Sequence, residues 1–192
     1  MKIGAIGGTF NPIHIGHLIL AQDVCEDLKL DKVVFIPTNI SPHKNGNGVS
    51  SAMRLEMVKL AIADNEKFQA SDLEIKRGGT SYTIDTVKEL KNIYPKDDLY
   101  LIIGSDLAND FSTWKDFKEL KELVKIVVAK RDDYPLKNKD PFIIKDIPQI
   151  EISSSRVRKM LKLGHPVRYF LTSKVRDYIV KNKLYLTTKE ER

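Results

Sequence analysis

Residues 7–17 read Gly-Gly-Thr-Phe-Asn-Pro-Ile-His-Ile-Gly-His, and the interpretation of the whole chain depends on this stretch. An apolar run over residues 3–6 precedes it and predicts a buried strand. An amphipathic pattern follows it, with one helical face formed by Leu18, Ala21, Cys25 and Leu28. The order strand, glycine turn, Asn-Pro turn and helix predicts the start of an α/β sheet. Ligands bind such sheets at the carboxyl ends of strands, where this stretch falls.

The residue types of this stretch suit a ligand with negative charge. Gly7 and Gly8 remove side chains where a bulky anion could approach the backbone, and the free N–H groups of a helix start attract phosphate. His14 and His17 are one helical turn apart, and Gly16 leaves that side uncovered. They are two of only four histidines in the chain, which favours a functional site over a structural role. No metal site is predicted because a third ligand is lacking nearby.

The length and composition predict a single globular enzyme domain over residues 1–192. The chain is 42% hydrophobic and 30% charged, which is ordinary for a globular protein and sufficient for a full core. The sequence contains no run of eighteen apolar residues, so no membrane span is predicted. The first strand begins so early that we expect no signal peptide. The single cysteine, Cys25, cannot form an intrachain disulfide, so we expect a cytoplasmic location.

Positive charge is concentrated in the last part of the chain. The net charge is +6, and residues 151–192 contain eleven lysines and arginines against four aspartates and glutamates. Such an excess is typical of a nucleic-acid interface, of a polyphosphate site or of a solvated face without a role. The chain has no RNA-binding signature and no row of aromatic residues. We therefore expect small anionic substrates and no nucleic acid.

Buried apolar runs alternate with helical patterns along the chain. Five runs are predicted to be strands: Ile3–Ile6, Lys32–Pro37, Phe68–Ile75, Leu99–Ile103 and Val124–Ala129. A helix capped by Ser51 is expected to run through Ala63, whereas 130–148 is expected to be irregular. Near the C-terminus, Gly164 should end one helix and Thr172 should cap the last. The fold class predicted is α/β, with a doubly wound, mostly parallel five-stranded sheet and a small C-terminal helical part.

Further polar segments lie where predicted strands end or helices begin. The loop 38–50 is interpreted either as an arm that closes on phosphates or as a solvated loop tip. The turn 76–86 suits a carboxylate or amide, or is a plain helix cap. Residues 104–106 either offer a carboxylate to ribose hydroxyls or form a plain helix cap, and the serines at 153–155 begin a helix that suits polyphosphate. Trp114 either stacks on a planar ligand or fills the core.

The opening stretch resembles a known motif. Its pattern, Gly-Gly-Thr-Phe-x-Pro-x-His-x-Gly-His, is similar to the first motif of the nucleotidyltransferase superfamily with the HxGH signature. Later segments resemble bacterial nicotinate-nucleotide adenylyltransferases over nearly the whole chain. These segments are Pro42-His43-Lys44, Ser71-Asp72 with Glu74, Arg77 to Thr86, Ile102 to Asp106 with Trp114, Ile152 to Arg158, and Tyr178-Ile179 with Leu184-Tyr185. The resemblance implies a Rossmann-like nucleotidyltransferase fold.

The same resemblance implies that nicotinate mononucleotide attacks the α-phosphate of ATP, giving deamido-NAD and pyrophosphate, with Mg²⁺ bridging the ATP phosphates. It implies catalytic roles for His14 and His17 at the α-phosphate, and for Lys44 and Arg158 at the leaving phosphates. It implies ATP contacts from Gly7, Gly8, Thr9, Phe10, Gly16, Gly104, Ser105, Asp106, Ile152, Ser153, Ser154 and Ser155. It implies contacts to the nicotinate nucleotide from Asn39, His43, Thr80, Ser81, Tyr82, Thr83 and Trp114.

Three positions depart from the pattern common in that family. Asn11 stands where many members have Asp, Ser41 where they have a second Pro, and Ser155 where they have Thr. None of these changes removes a reactive group. Alternative acceptors are nicotinamide mononucleotide and phosphopantetheine, and an alternative of another class is a nucleic-acid-binding regulator that uses the basic C-terminal third. A synthetase fragment is disfavoured because no tRNA-binding domain follows. The sequence leaves open whether the protein is a homo-oligomer.

Overall fold

A parallel β-sheet of six strands lies at the centre of the part of the chain that the structure describes. The structure is a computed structural model and describes residues 1–41, 49–130, 135–137, 141–148 and 150–186. The strands are β1 (Lys2–Gly8), β2 (Lys32–Pro37), β3 (Phe68–Ala70), β4 (Asp98–Gly104), β5 (Lys125–Lys130) and β6 (Ile143–Asp146). Their order is β3-β2-β1-β4-β5-β6, and every neighbouring pair is parallel.

Helices lie between most of the strands, and further helices follow the last strand in sequence. They are α1 (Ile15–Asp27), α2 (Ser51–Ile62), α3 (Leu73–Arg77), α4 (Thr83–Ile93), α5 (Ser105–Ala108), α6 (Phe117–Leu123), α7 (Ser154–Lys162) and α8 (Ser173–Lys181), with a 3₁₀ turn at Phe111–Thr113. In the described segments, no helix has both the length and the apolar character needed to cross a bilayer.

The sheet buries apolar side chains on both faces. Along β2, Val33 and Phe35 belong to the core on one face, and Val34 and Ile36 to the core on the other, because successive side chains of a strand alternate. The first core includes residues of α1, α2, α7 and α8. The second includes residues of α4 and α6. The central strands of this doubly wound parallel sheet are continuous apolar runs because both of their faces are covered.

The strand order places two chain segments side by side at one edge of the sheet. From β1 the chain proceeds outward to β2 and β3, whereas β4 returns to the other side of β1 and leads outward to β5 and β6. The crevice of a doubly wound sheet opens where the order reverses, here between the carboxyl ends of β1 and β4. These ends are Gly8 and Gly104.

The predicted parallel α/β sheet is confirmed, but it contains six strands rather than five. The additional strand, β6, lies in the 130–148 segment that we expected to be irregular. It pairs with β5 alone and its side chains are half-buried or exposed, so an edge strand forms there without a long apolar run. The third strand is also shorter than predicted, since it ends at Ala70 and α3 follows.

Helix ends agree with the sequence patterns to within one residue. Ser50, and not Ser51, caps α2, because its Oγ accepts a hydrogen bond from the N–H of Met53 at 3.3 Å. Gly164 follows α7 with φ at +71°, and Thr172 caps α8, as predicted. The single domain over residues 1–192 stays a prediction.

Candidate active site

A side chain at either of two glycines of the motif would crowd a neighbouring ring. Phe10 is buried, and a Cβ on Gly8 would lie 3.1 Å from its Cζ atom. A Cβ on Gly16 would lie 3.2 Å from Nδ1 of His14. Gly7 is exposed with open space around it, so its backbone is accessible to a ligand.

The two histidines of the motif stack on each other. Their ring centroids are 3.7 Å apart with 27° between the planes; His14 is buried and His17 is half-buried. The backbone N–H of His14 donates to Nδ1 of His17 at 3.2 Å. Because Nδ1 accepts this bond, a neutral His17 carries its proton on Nε2. The motif therefore presents a fixed hydrogen-bond donor at the start of α1.

The start of α7, with the serines at 153–155, contacts the Asn-Pro turn at residues 11–12, although the two segments are far apart in sequence. The Oγ of Ser154 donates to the carbonyl of Pro12 at 2.9 Å, and Nη1 of Arg158 donates to the carbonyl of Asn11 at 2.7 Å. Nη2 of Arg158 donates to Oγ of Ser155 at 3.1 Å. Ser153 accepts from the N–H of Arg156 and so caps α7. The structure thus brings these predicted site residues onto the Asn-Pro turn.

The C-terminal part of the chain also contacts this turn. The hydroxyl of Tyr185 donates a short hydrogen bond to Oδ1 of Asn11. Burial raises the pKa of the Tyr185 phenol well above its ordinary value, and the charges of Arg158 and Arg54 oppose this. The phenol therefore stays protonated as a donor to Asn11. An amide oxygen at this position accepts the bond as a carboxylate would, which fits the departure from Asp at residue 11.

A cavity of about 750 Å³ opens beside the glycine turn, on the face of the sheet covered by α4. It joins two groups of predicted site residues that come from different motifs. The first group is Gly7, Gly8 and Thr9, and the second is Ser81, Tyr82, Thr83 and Trp114. Most of its wall is apolar, with polar groups concentrated at the turn and at the start of α4. A ligand with a planar ring and a charged end matches these walls.

Other predicted residues lie outside this cavity within the described ranges. Residues 104–106 occupy the carboxyl end of β4 beside β1, and Ile152 lies close to Gly16. Asn39 lies behind the cavity wall: its N–H donates to Oγ of Ser81 at 3.1 Å. Thr80 is exposed and pairs with Ile40 in a parallel bridge. His43 and Lys44 fall outside the described residues, so their predicted roles stay predictions.

Three charged residues near the cavity were given no role by the sequence reasoning, although Glu74 belongs to one of the segments that resemble the family. Lys115 lines the cavity, pairs with Asp85 at 3.3 Å and lies 4.7 Å from the centre of the Tyr82 ring. Its position directly after Trp114 was the available signal. Arg54 and Glu74 are buried, and no local pattern marked Arg54, which lies in the middle of an ordinary amphipathic helix.

Burial shifts the ionisation of these buried groups. It raises the pKa of the Glu74 carboxyl above its ordinary value, while hydrogen bonds from Thr86 and Ser81 and the charge of Arg77 oppose this. Thr86 donates to Oε1 of Glu74 at 2.6 Å. Burial likewise lowers the pKa of Arg54 from its ordinary value, and electrostatic interactions with Tyr185 and Glu74 oppose this lowering.

Within the described residues, no group of three or more His, Cys, Asp and Glu side chains is placed to hold a metal ion. The side chains around the glycine turn offer hydrogen-bond donors and a cationic guanidinium instead. Such groups bind phosphate oxygens and do not coordinate a metal ion.

The geometry and the comparisons define the class of protein. The cytidylyltransferase-like family model matches residues 5–160, which include the glycine turn, the α4 turn and the start of α7. The fold agrees with solved structures: nicotinic acid mononucleotide adenylyltransferase of Plasmodium falciparum, complexed with NaAD, superposes with a TM-score of 0.82 at 22% identity, covering 96% of this chain and 97% of that one. This chain is a nucleotidyltransferase of the cytidylyltransferase-like type.

Two relatives narrow the class to a family. Nicotinate-nucleotide adenylyltransferase of Bacillus subtilis (strain 168) is 40% identical over 185 residues, covering 96% of this chain and 98% of the relative. The probable nicotinate-nucleotide adenylyltransferase of Shouchella clausii is 42% identical, with 96% of each chain covered. The chain belongs to the nicotinate-nucleotide adenylyltransferase family, and the resemblance drawn from its motifs is confirmed.

Proposed function

We propose that this chain transfers AMP from ATP to nicotinate mononucleotide, giving deamido-NAD and pyrophosphate, as the family's name describes. The observation that carries the proposal is the cavity that connects Trp114 and the start of α4 with the glycine turn. A mononucleotide has a ring at one end and a phosphate at the other. The cavity offers aromatic and helix-start groups at one end and a glycine turn at the other.

The acceptor's ring occupies the end of the cavity near Trp114. The indole is half-buried and lines the cavity, so it can stack on a pyridine ring. No side chain caps the start of α4, which leaves its first backbone N–H groups for the ring carboxylate. Lys115 lines the same end, where its ammonium pairs with Asp85 at 3.3 Å. Ser81 and Thr83 complete a polar wall for the nucleotide.

ATP occupies the crevice between β1 and β4. Residues 104–106 lie at the end of β4, where Asp106 can accept hydrogen bonds from ribose hydroxyls. The phosphates lie along the glycine turn and the start of α1, next to the stacked histidines. Arg158 and Ser155 at the start of α7 adjoin the Asn-Pro turn that follows and supply donors to the leaving phosphates.

In the reaction, a phosphate oxygen of nicotinate mononucleotide forms a bond to the α-phosphorus of ATP. The bond between that phosphorus and the oxygen bridging to the β-phosphate breaks, and pyrophosphate leaves. No protein nucleophile is required, because positioning and charge neutralisation lower the barrier of such transfers. Nε2–H of His17 donates to a non-bridging oxygen of the α-phosphate as charge develops there. Mg²⁺ would be held by the phosphates of the nucleotide, and it would supply neutralisation of phosphate charge.

The test is to measure pyrophosphate release with ATP and Mg²⁺ in the presence of each candidate acceptor. We expect rapid release with nicotinate mononucleotide, slower release with nicotinamide mononucleotide and none with phosphopantetheine, with deamido-NAD as the product by mass spectrometry. Preference for another acceptor would reassign the cavity to that compound. Absence of release with all three acceptors would contradict the proposal.

A further inference from the structure

Among the described residues, Arg54 is the one lysine or arginine that is buried, with 5% of its surface exposed. It lies on α2, on the inward face of that helix. A buried charge is costly unless hydrogen bonds compensate for the lost water. A buried arginine therefore needs well-placed acceptors, and the identity of those acceptors indicates what the residue does.

The guanidinium of Arg54 donates to two backbone carbonyls that belong to different loops. Nη1 donates to the carbonyl of Thr9 at 2.7 Å, and Nη2 donates to the carbonyl of Asn39 at 3.1 Å. Thr9 lies in the glycine turn after β1, and Asn39 follows β2. One planar side chain thus joins the loops that follow two neighbouring strands.

The second of these loops continues into the wall of the cavity. The N–H of Asn39 donates to Oγ of Ser81 at 3.1 Å, and its side-chain amide donates to the carbonyl of Gly79 at 3.1 Å. The N–H of Ser81 donates in turn to the carbonyl of Ile40 at 2.9 Å. A movement of the Asn39 loop therefore moves the turn that precedes α4, where the acceptor's ring is proposed to bind.

We infer that Arg54 is a positioning residue for adenylyl transfer, which fixes the distance between the glycine turn that holds ATP and the Asn39 loop that supports the acceptor site. The inference rests on the proposed function. Arg54 touches neither reacting phosphate in this arrangement; it acts through Thr9 and Asn39. Attack on phosphorus depends on the alignment of two separately bound substrates, and a displacement of about 1 Å can cost on the order of 10²-fold in rate.

Arginine is suited to this role in a way that lysine is not. The two Nη atoms of a guanidinium are fixed in one plane and donate to two carbonyls at a set separation, whereas an ammonium is a single point of charge on a flexible chain. Arg54→Lys keeps the positive charge and most of the apolar stem but loses the rigid fork. We therefore expect it to fold and to bind each substrate, while aligning the two substrates poorly.

The experiment compares the wild type with Arg54→Lys in full-length protein. Binding of nicotinate mononucleotide is followed by the fluorescence of Trp114, the only tryptophan. The end point of the titration gives the number of binding-competent sites. Binding of ATP is measured by calorimetry, and kcat by pyrophosphate release per competent site. We expect kcat to fall by about 10²-fold, while each dissociation constant stays within about threefold of the wild type. Lys59→Arg, a basic exchange at an exposed position of the same helix, should change none of these quantities.

Two results would overturn the inference: an unchanged kcat in Arg54→Lys, or a loss confined to the dissociation constant of one substrate. If too little Arg54→Lys folds to be measured, Arg54→Gln replaces it, because glutamine has a single amide nitrogen in place of the two-nitrogen fork and buries no charge. It should lower kcat while ATP binding is unchanged, and a normal kcat would again overturn the inference. An inactive wild type would instead contradict the proposed function, so the two failures are distinguishable.

Discussion

At the scale of single residues, the direction of a few N–H and O–H groups decides what the site can bind. The main chain fixes the proton of His17 on Nε2, and Tyr185 and Arg158 both donate to Asn11, at its side chain and its carbonyl respectively. Each of these contacts spans a different sequence distance. The histidine pair could be predicted from the sequence because one helical turn brings it together, whereas the contacts of Asn11 depend on residues 147 and 174 positions away.

His17→Ala should lower kcat by roughly 10²-fold or more, because it removes a preplaced donor to the charge that develops on the α-phosphate. The thermal midpoint should change little, since the His17 side chain is only half-buried. Pyrophosphate release at saturating substrates measures the first quantity and calorimetry the second. His165→Ala, at an exposed histidine outside the site, is the matched control. Near-normal turnover in His17→Ala would remove His17 from the mechanism.

Glu74→Gln should make the protein's stability less sensitive to pH. Burial raises the pKa of Glu74 in the folded state, so the folded protein holds this proton to a higher pH than the unfolded chain, for which the ordinary value is 4.5. The free energy of unfolding of the wild type therefore falls as pH rises from about 4.5 through the folded pKa. Glutamine has no proton to lose and can still accept from Thr86.

Urea unfolding of both proteins across that pH range measures the difference. We expect the wild type to lose stability relative to Glu74→Gln as pH rises. Glu56→Gln, at a residue of α2 that is not buried, controls for the general effect of removing a carboxylate. A difference between wild type and Glu74→Gln that does not depend on pH would contradict the raised pKa.

At the scale of elements, local signals were sufficient for most strands and helix ends. Central strands such as β4 are apolar without interruption because both faces are covered, and capping serines and threonines mark helix starts. The edge strand β6 could not be predicted in this way, because its pairing with β5 and not its own composition defines it. Arg54 was missed for a related reason: its partners lie on loops that the strand order brings to α2.

Thr172→Ala should lower the free energy of unfolding by about 1 kcal/mol, because Oγ1 of Thr172 caps α8 by accepting from the N–H of Val175. Catalytic turnover should be unchanged, since the lost hydrogen bond lies within the first turn of α8. Chemical denaturation gives the stability, and Thr172→Ser, which keeps the cap, should restore most of it. An equal loss in the serine variant would show that the methyl group, and not the cap, is responsible.

At the scale of the whole molecule, the sheet order explains why motifs from both ends of the chain form one site. The reversal between β1 and β4 creates the crevice, the glycine turn forms its floor, and α7 returns to the Asn-Pro turn. Parallel strands alternating with helices could be predicted from the sequence. The binding of ligands at this edge of the sheet stays a prediction. The depth and direction of the cavity could not be predicted from the sequence, because its walls come from segments that meet only in the folded chain. The absence of a nucleic-acid partner and the cytoplasmic location stay predictions.

A crystal structure with deamido-NAD bound is the most direct test of this arrangement, because the product spans both substrate sites. We expect the pyridine ring in the cavity against Trp114, its carboxylate at the first turn of α4, the phosphates beside Gly8 and His17, and the adenosine at residues 104–106. A pyridine ring outside the cavity, or an adenosine inside it, would contradict the assignment of the two sites.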